Sequence, residues 1–188
     1  MTRKEQKEAR KKAILLTALT LFVERGYHDT KISDIAEAVP MSQGLMFHYF
    51  DSKEELLTEL VRMGVEGTVS AKNETNVPPD LFLKGFLSQL FSYVEEQPWV
   101  FYMFVLMGQV RRGGMSEEAK KIALSIDTVA STAEMIKKGQ QEGIFHAGDP
   151  QVMSHCFWAS VQGIMEEMAT DKSMKAPDPE WIVAMLQK

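Results

Sequence analysis

Apolar positions recur at helical spacing along almost the whole chain, and no run of useful length alternates as a strand does. Ile14, Ala18, Leu21 and Phe22 mark one stripe of a first helix over 4–24, which Gly26 ends. Tyr27, His28, Asp29 and Thr30 lead into a short helix over 32–38. Pro40 blocks its continuation, because proline lacks an amide hydrogen and biases Val39 away from helix. Ser42 starts a third helix. Ser52 starts a fourth, with the capping-box pair Ser52 and Glu55, and the pattern carries it to about 71.

The segment 72–79 is polar and ends in Pro78 and Pro79, which places a boundary there. Beyond it the spacing predicts helices over 80–96, 98–111, 116–142, 149–170 and 178–187. Asp149 before Pro150 and Asp178 before Pro179 are capping carboxylates ahead of a proline at the first helical position. Gly113 and Gly114, and the stretch from Gly143 to Gly148, are the loops between helices.

Composition narrows the class. The 188 residues suit one or two domains, and 45% hydrophobic content is ample for a helical core. A single cysteine, Cys156, excludes an intramolecular disulfide and suits a reducing cytoplasm. No apolar run has the length of a transmembrane helix, and the N-terminus lacks the apolar core of a signal peptide, so a cytoplasmic protein is expected. The net charge is −5, but residues 1–53 hold 9 basic and 7 acidic side chains while the rest hold 12 and 19. The first twelve residues carry six basic and two acidic side chains, which read either as a phosphate-contacting arm or as a solvated end.

Two short helices meeting at a turn around Val39, Pro40 and Met41, the second opened by Ser42, form the layout of a helix-turn-helix, whose second helix enters the DNA major groove. Gln43 is the candidate base reader, since its amide pairs bidentately with adenine. Gly44, without a side chain, lets the helix come close to the bases. Met41 and Phe47 are placed for apolar contact with thymine methyls. Ser42, His48, Tyr49, Lys31 and Lys53 are candidate phosphate contacts, which position the protein without reading sequence. The free amides at the helix start add partial positive charge. Phe50, Leu45 and Ile35 read as core, and Tyr49 reads equally as packing.

The residues Ile14, Ala18, Phe22, Gly26, Tyr27, Ile35, Ala36, Ser42, Gln43, Gly44, Leu45, His48, Tyr49, Phe50, Ser52, Lys53, Glu54, Glu55 and Leu56, taken together, resemble the N-terminal domain of the tetracycline-repressor (TetR) family of bacterial transcription regulators. The resemblance spans about 14–60. The rest of the chain matches the family only in length and helical layout. Three positions depart from the family's pattern: Pro40 stands at a turn usually held by Gly, Phe47 where Tyr is usual, and Lys31 where Thr is common. The resemblance implies an all-α fold with an N-terminal three-helix helix-turn-helix DNA-binding domain over 1–52, linked by a helix over 52–71 to a helical ligand-binding and dimerisation domain over 72–188. It implies a homodimeric, ligand-responsive repressor on a palindromic operator of double-stranded DNA.

The body gives this partial support of its own. The segment from Trp99 to Met107 and much of Met153 to Met168 are apolar on every helical face, so each must be covered on more than one side. Ala159, Ser160 and Gly163 are small enough for close helix approach, and Trp181, Ile182, Met185 and Leu186 add apolar surface, so a two-fold dimer over 149–170 and 178–187 is expected; the competing reading buries both segments in one core. The thirteen Met residues suit an adaptable ligand site or simple core filling. Pocket candidates for a small hydrophobic or amphipathic effector are Phe86, Phe101, Tyr102, Phe104, Met107, Met135, Phe157 and Trp158. Arg111 and Arg112 read as partners of an anionic head group or as a solvated helix end.

No phosphate loop, zinc-spaced Cys and His set or nucleophile motif occurs, so neither enzyme activity nor a cofactor or metal is expected. His155 and Cys156 read as packed residues rather than as a redox or metal sensor. The alternatives are an all-helical small-molecule-binding protein, an architectural DNA binder without an inducer, and an activator or adaptor of the same fold.

Overall fold

A computed structural model describes residues 2–69, 77–97, 99–171 and 173–188. They form ten helices, α1 (Arg3–Glu24), α2 (Ile32–Ala38), α3 (Gln43–Met46), α4 (Lys53–Val69), α5 (Pro79–Glu96), α6 (Trp99–Arg112), α7 (Glu117–Ala123), α8 (Thr128–Gln141), α9 (Pro150–Thr170) and α10 (Pro179–Val183). The chain falls into two compact units, one of residues 1–67 and 105–125, the other of residues 68–104 and 126–188. The sequence boundary at 72–79 and the start at Pro98 fall largely outside the described residues, as does the end of the fourth helix at 71.

In the first unit, α1 buries Ile14, Leu15, Ala18, Leu19, Leu21 and Phe22 and packs on α2, which buries Ile35 and Ala36 and packs in turn on α3, where Met46 is buried. Burying a side chain of this size stabilises by about 1.5–3 kcal/mol, which holds the short helices α2 and α3 in place more strongly than their lengths could alone. Gly26 ends α1 at φ 94°, a backbone conformation that side-chain-bearing residues rarely adopt. Thr30, fully buried, spends its hydroxyl on the Leu21 and Gly26 carbonyls. At the start of α4, Ser52 Oγ accepts from the Glu55 amide at 3.0 Å, while the Glu55 carboxylate reaches the Asp51 amide rather than that of Ser52. The capping box is therefore displaced by one residue on its return side.

In the second unit, α5, α8, α9 and α10 enclose a core that includes Leu87, Phe91, Ile136, Phe145, Phe157, Val161 and Met165. Ser154 Oγ donates to the Val129 carbonyl and Trp158 Nε1 to Thr132 Oγ1, fixing α9 on α8. Two helices differ from the sequence expectation. The single helix over 116–142 is two helices: α7 stops at Leu124, and Asp127 caps α8 by accepting from the Ala130 amide at 2.8 Å. The helix over 178–187 stops after Val183, because the chain then pairs with another segment: Phe145 and Gln187 form an antiparallel bridge, and the His146 amide donates to the Leu186 carbonyl.

Candidate nucleic-acid interface

The turn between α2 and α3 is set by packing. Val39 donates from its amide to Ile35, and Met41 reaches back to the Ala36 carbonyl at 2.9 Å. Closing the turn in this way carries Pro40 to φ 22°, far from the value near −65° that its ring favours.

The third helix is a single turn of four residues, with Ser42 Oγ accepting from the Leu45 amide at 3.2 Å. Its short length leaves little macrodipole at its start, so any pull on phosphate there comes from individual amides and side chains. Ser42, Gln43, Gly44, Phe47 and His48 are exposed, and Met41 and Tyr49 are half-buried. A Cβ built on Gly44 meets nothing within 4 Å, so the protein's own packing does not require glycine there. Phe47, 50% exposed, is a large apolar ring facing solvent beside these polar residues. Lys31 is exposed at the start of α2, its amide bonded to Asp34.

Lys53 is held differently. Its ammonium donates to the carbonyls of Tyr27 at 2.7 Å and Thr30 at 2.8 Å, and lies over the Tyr27 ring. Burial, with the nearby Glu54 carboxylate, raises the Tyr27 hydroxyl above its ordinary value. On the same unit, His28 Nε2 donates to the Gly114 carbonyl and Ser116 Oγ to Glu54, which ties the turn after α6 to the loop between α1 and α2. These contacts join residues far apart in sequence and left no signal there.

The first turns of α1, which the sequence reads as a phosphate-contacting arm or a solvated end, share a concavity with Tyr49 that the sequence does not show. Arg3, Gln6, Lys7, Ala9, Arg10 and Tyr49 line an open concavity of about 590 Å³. The recurrence of basic residues at 3, 7 and 10 was the available signal.

Of the effector candidates, Phe157 is fully buried, and Phe86, Phe101, Phe104, Met135 and Trp158 pack half-buried on the same core. Trp158 meets Phe86 and Phe157 edge to face at 5.8 and 5.5 Å. Tyr102 is buried, and Met107 falls in the segment that groups with the first unit. Arg111 donates from Nε to the Ala123 carbonyl. Among the described residues no His, Cys, Asp and Glu cluster is arranged to hold a metal ion, and no helix is long and apolar enough to cross a membrane.

Residues 14–60, which run from the first core residue of α1 into α4, match the model of bacterial regulatory proteins of the tetR family. The chain is 28% identical over 161 residues to the transcriptional regulator RutR of Escherichia coli strain K12, covering 82% of this chain and 73% of that one. A solved TetR-family regulator from Agrobacterium tumefaciens superposes with a TM-score of 0.74 at 18% identity, over 97% of this chain and all of the other. The chain is thus similar to regulators of the TetR family, in sequence through its N-terminal domain and in fold along its length. Its all-α fold, with an N-terminal helix-turn-helix and a helical remainder, is that of its TetR-family neighbours. The transcriptional repressor KstR2 of Rhodococcus jostii strain RHA1 is 43% identical over 56 residues, 30% of this chain and 28% of KstR2, so that likeness is confined to little more than a quarter of KstR2.

Proposed function

We propose that this chain is a transcriptional repressor of the TetR type that binds a palindromic operator of double-stranded DNA as a homodimer and leaves it when a small hydrophobic or amphipathic molecule binds. The observation that carries the DNA reading is the exposed group at α3: the Gln43 amide and the Phe47 ring face solvent, and Gly44 is bare where the fold has no need of bareness. A glycine unneeded by its own protein suits the close approach of another surface. In this reading Gln43 reads a base, Met41 and Phe47 meet thymine methyls, and Ser42, His48, Tyr49 and Lys31 contact phosphates. Lys53 contributes by fixing the loop, with any phosphate contact secondary to that role.

The dimer reading rests on α9 and the chain after Asp178. Val152 is 57% exposed and His155, Cys156, Ala159 and Gly163 share its outer side, while Trp181 is 73% and Met185 40% exposed. Apolar groups this exposed are costly in water and favour a second copy. The aromatic group of Phe86, Phe101, Phe104 and Trp158 is the proposed effector site, in a body over 72–188 served by the DNA-binding head over 1–52 and the linking helix α4. The effector weakens operator binding only by preferring the conformation that does not bind DNA.

The test is selection from random duplex DNA by the purified full chain at near-physiological salt. Enrichment of a palindrome with half-site centres about 34–36 Å apart is expected. Recovery of no sequence, with weak and salt-sensitive binding, would overturn the repressor reading in favour of an architectural binder.

A further inference from the structure

The first residue of α1 to enter the core is Ile14, and residues 2–10 are exposed throughout. More than two turns of helix therefore stand with no apolar face to bury. Such a stretch is marginal by itself, yet its end is closed by a full capping box: the Thr2 amide donates to Glu5 Oε2 at 2.8 Å and the Glu5 amide to Thr2 Oγ1 at 3.2 Å. The chain holds these turns helical although they add nothing to the core.

What the turns carry is a row of cations. Arg3, Lys7 and Arg10 follow each other by four and three residues and share one face. Like charges at this spacing repel and weaken a helix. Among the described residues no carboxylate is paired with any of the three, whereas Lys11, on the neighbouring face, is paired with Glu59 at 3.4 Å and sits near the Phe50 ring. The same three cations, with Gln6 and Ala9, form one wall of the open concavity of about 590 Å³, and Tyr49, just beyond α3, closes it. Open and cationic is the wrong character for a small apolar ligand, which needs enclosure. It is the right one for a convex polyanion.

We propose that this concavity clasps the sugar-phosphate backbone of duplex DNA outside the base pairs read from α3, with Arg3, Lys7, Arg10 and the Tyr49 hydroxyl on successive phosphates of one strand. This deepens the DNA-binding reading above and rests on it. Seven residues of helix span about 10 Å, and the long side chains at its two ends widen that reach to neighbouring phosphates of one strand. The two arginines take phosphates bidentately and the lysine as a point charge. The arm adds affinity and lengthens the footprint without adding base preference.

The experiment uses the full chain and the palindrome it selects, in a long duplex and in one trimmed of three base pairs beyond each half-site. The variant Arg3→Gln/Lys7→Gln/Arg10→Gln keeps good helix formers at all three positions. The dimer's log Kd against log salt slope is expected to fall by about five, from six lost contacts at about 0.9 each. Affinity should drop at least tenfold while the selected palindrome stays the same. Trimming should weaken the wild type and leave the triple variant unchanged. Tyr49→Phe, which keeps the ring, should lose a smaller part of the same trimming effect. An unchanged slope would overturn the proposal. So would a trimming penalty that persists in the triple variant, since the charges would then act at large and not on the flanks. Failure of the wild type to select any palindrome removes the parent reading and this one with it, and is told apart by occurring before any variant is made.

Discussion

Lys53 holds the carbonyl oxygen of Tyr27 at 2.7 Å while its ammonium stands 4.4 Å from the centre of the Tyr27 ring. With Thr30 O at 2.8 Å and His28 O at 3.4 Å, it reaches three carbonyls of the loop that begins at Gly26. Hydrogen bonds to a charged group contribute about 1.5–3 kcal/mol each in favourable cases, less where water competes. Lys53→Met is therefore expected to lower stability by about 1–3 kcal/mol in the absence of DNA. Urea unfolding of the free protein measures it. A variant as stable as wild type that has lost only operator affinity would return Lys53 to a phosphate role.

Much of this was readable in advance where local chemistry decides. The stripe of Ile14, Ala18, Leu21 and Phe22, the bounds of α2, and the Asp149 and Asp178 caps all follow from spacing and side-chain type, and the structure has them there. The reading failed where distant segments meet. The residues 116–142 look like one helix because their apolar spacing barely breaks; the Asp127 cap that splits them was a weak local signal amid it. The end of α10 was hidden because Gln187 pairs with Phe145, more than forty positions away. In the site, the exposure of Gln43 and Gly44 was legible, whereas the grip of Lys53 on carbonyls two dozen residues earlier was not.

Gly139 shows the same kind of hidden constraint. Inside a helix, alanine normally stabilises over glycine by about 1 kcal/mol. Here a Cβ on Gly139 would run into the Phe145 ring, whose Cγ would lie 3.1 Å away and whose edge lies nearer still. The ring cannot swing aside, because it is 1% exposed and its backbone is tied to the Gly139 carbonyl and bridged to Gln187. Gly139→Ala should lower stability by about 1–3 kcal/mol, and adding Phe145→Leu should recover part of the loss. Thermal unfolding of the single and double variants decides it; a stabilised Gly139→Ala would mean the ring yields.

Gln43 separates base reading from charge. Gln43→Ala should relax preference at one base pair per half-site, at about 1–3 kcal/mol, and leave the salt slope alone. The selection repeated with the variant reads both. A uniform loss over all sequences would place Gln43 among the phosphate contacts.

His146 makes stability depend on pH in a direction that can be worked out. Its Nδ1 faces the Ala147 carbonyl at 2.9 Å and its Nε2 the Met185 carbonyl at 3.0 Å. Only the imidazolium donates from both nitrogens at once. The Ala147 bond first, and the Met185 bond second, therefore raise its pKa above the ordinary 6.5. A folded value above the unfolded one means that the protonated form is favoured by folding. The contribution is complete below pH 6.5 and is lost as pH rises through the higher folded value. The Lys84 and Tyr27 shifts are also upward but start from 10.5 and 10.0, and that of Asp171 is downward from 3.8, so none of the three overlaps this window. Urea midpoints measured from pH 5.5 to 8.5 should fall more for wild type than for His146→Gln, whose amide donates to one carbonyl at every pH. Parallel profiles for the two proteins would mean that the ring gives up one carbonyl without cost.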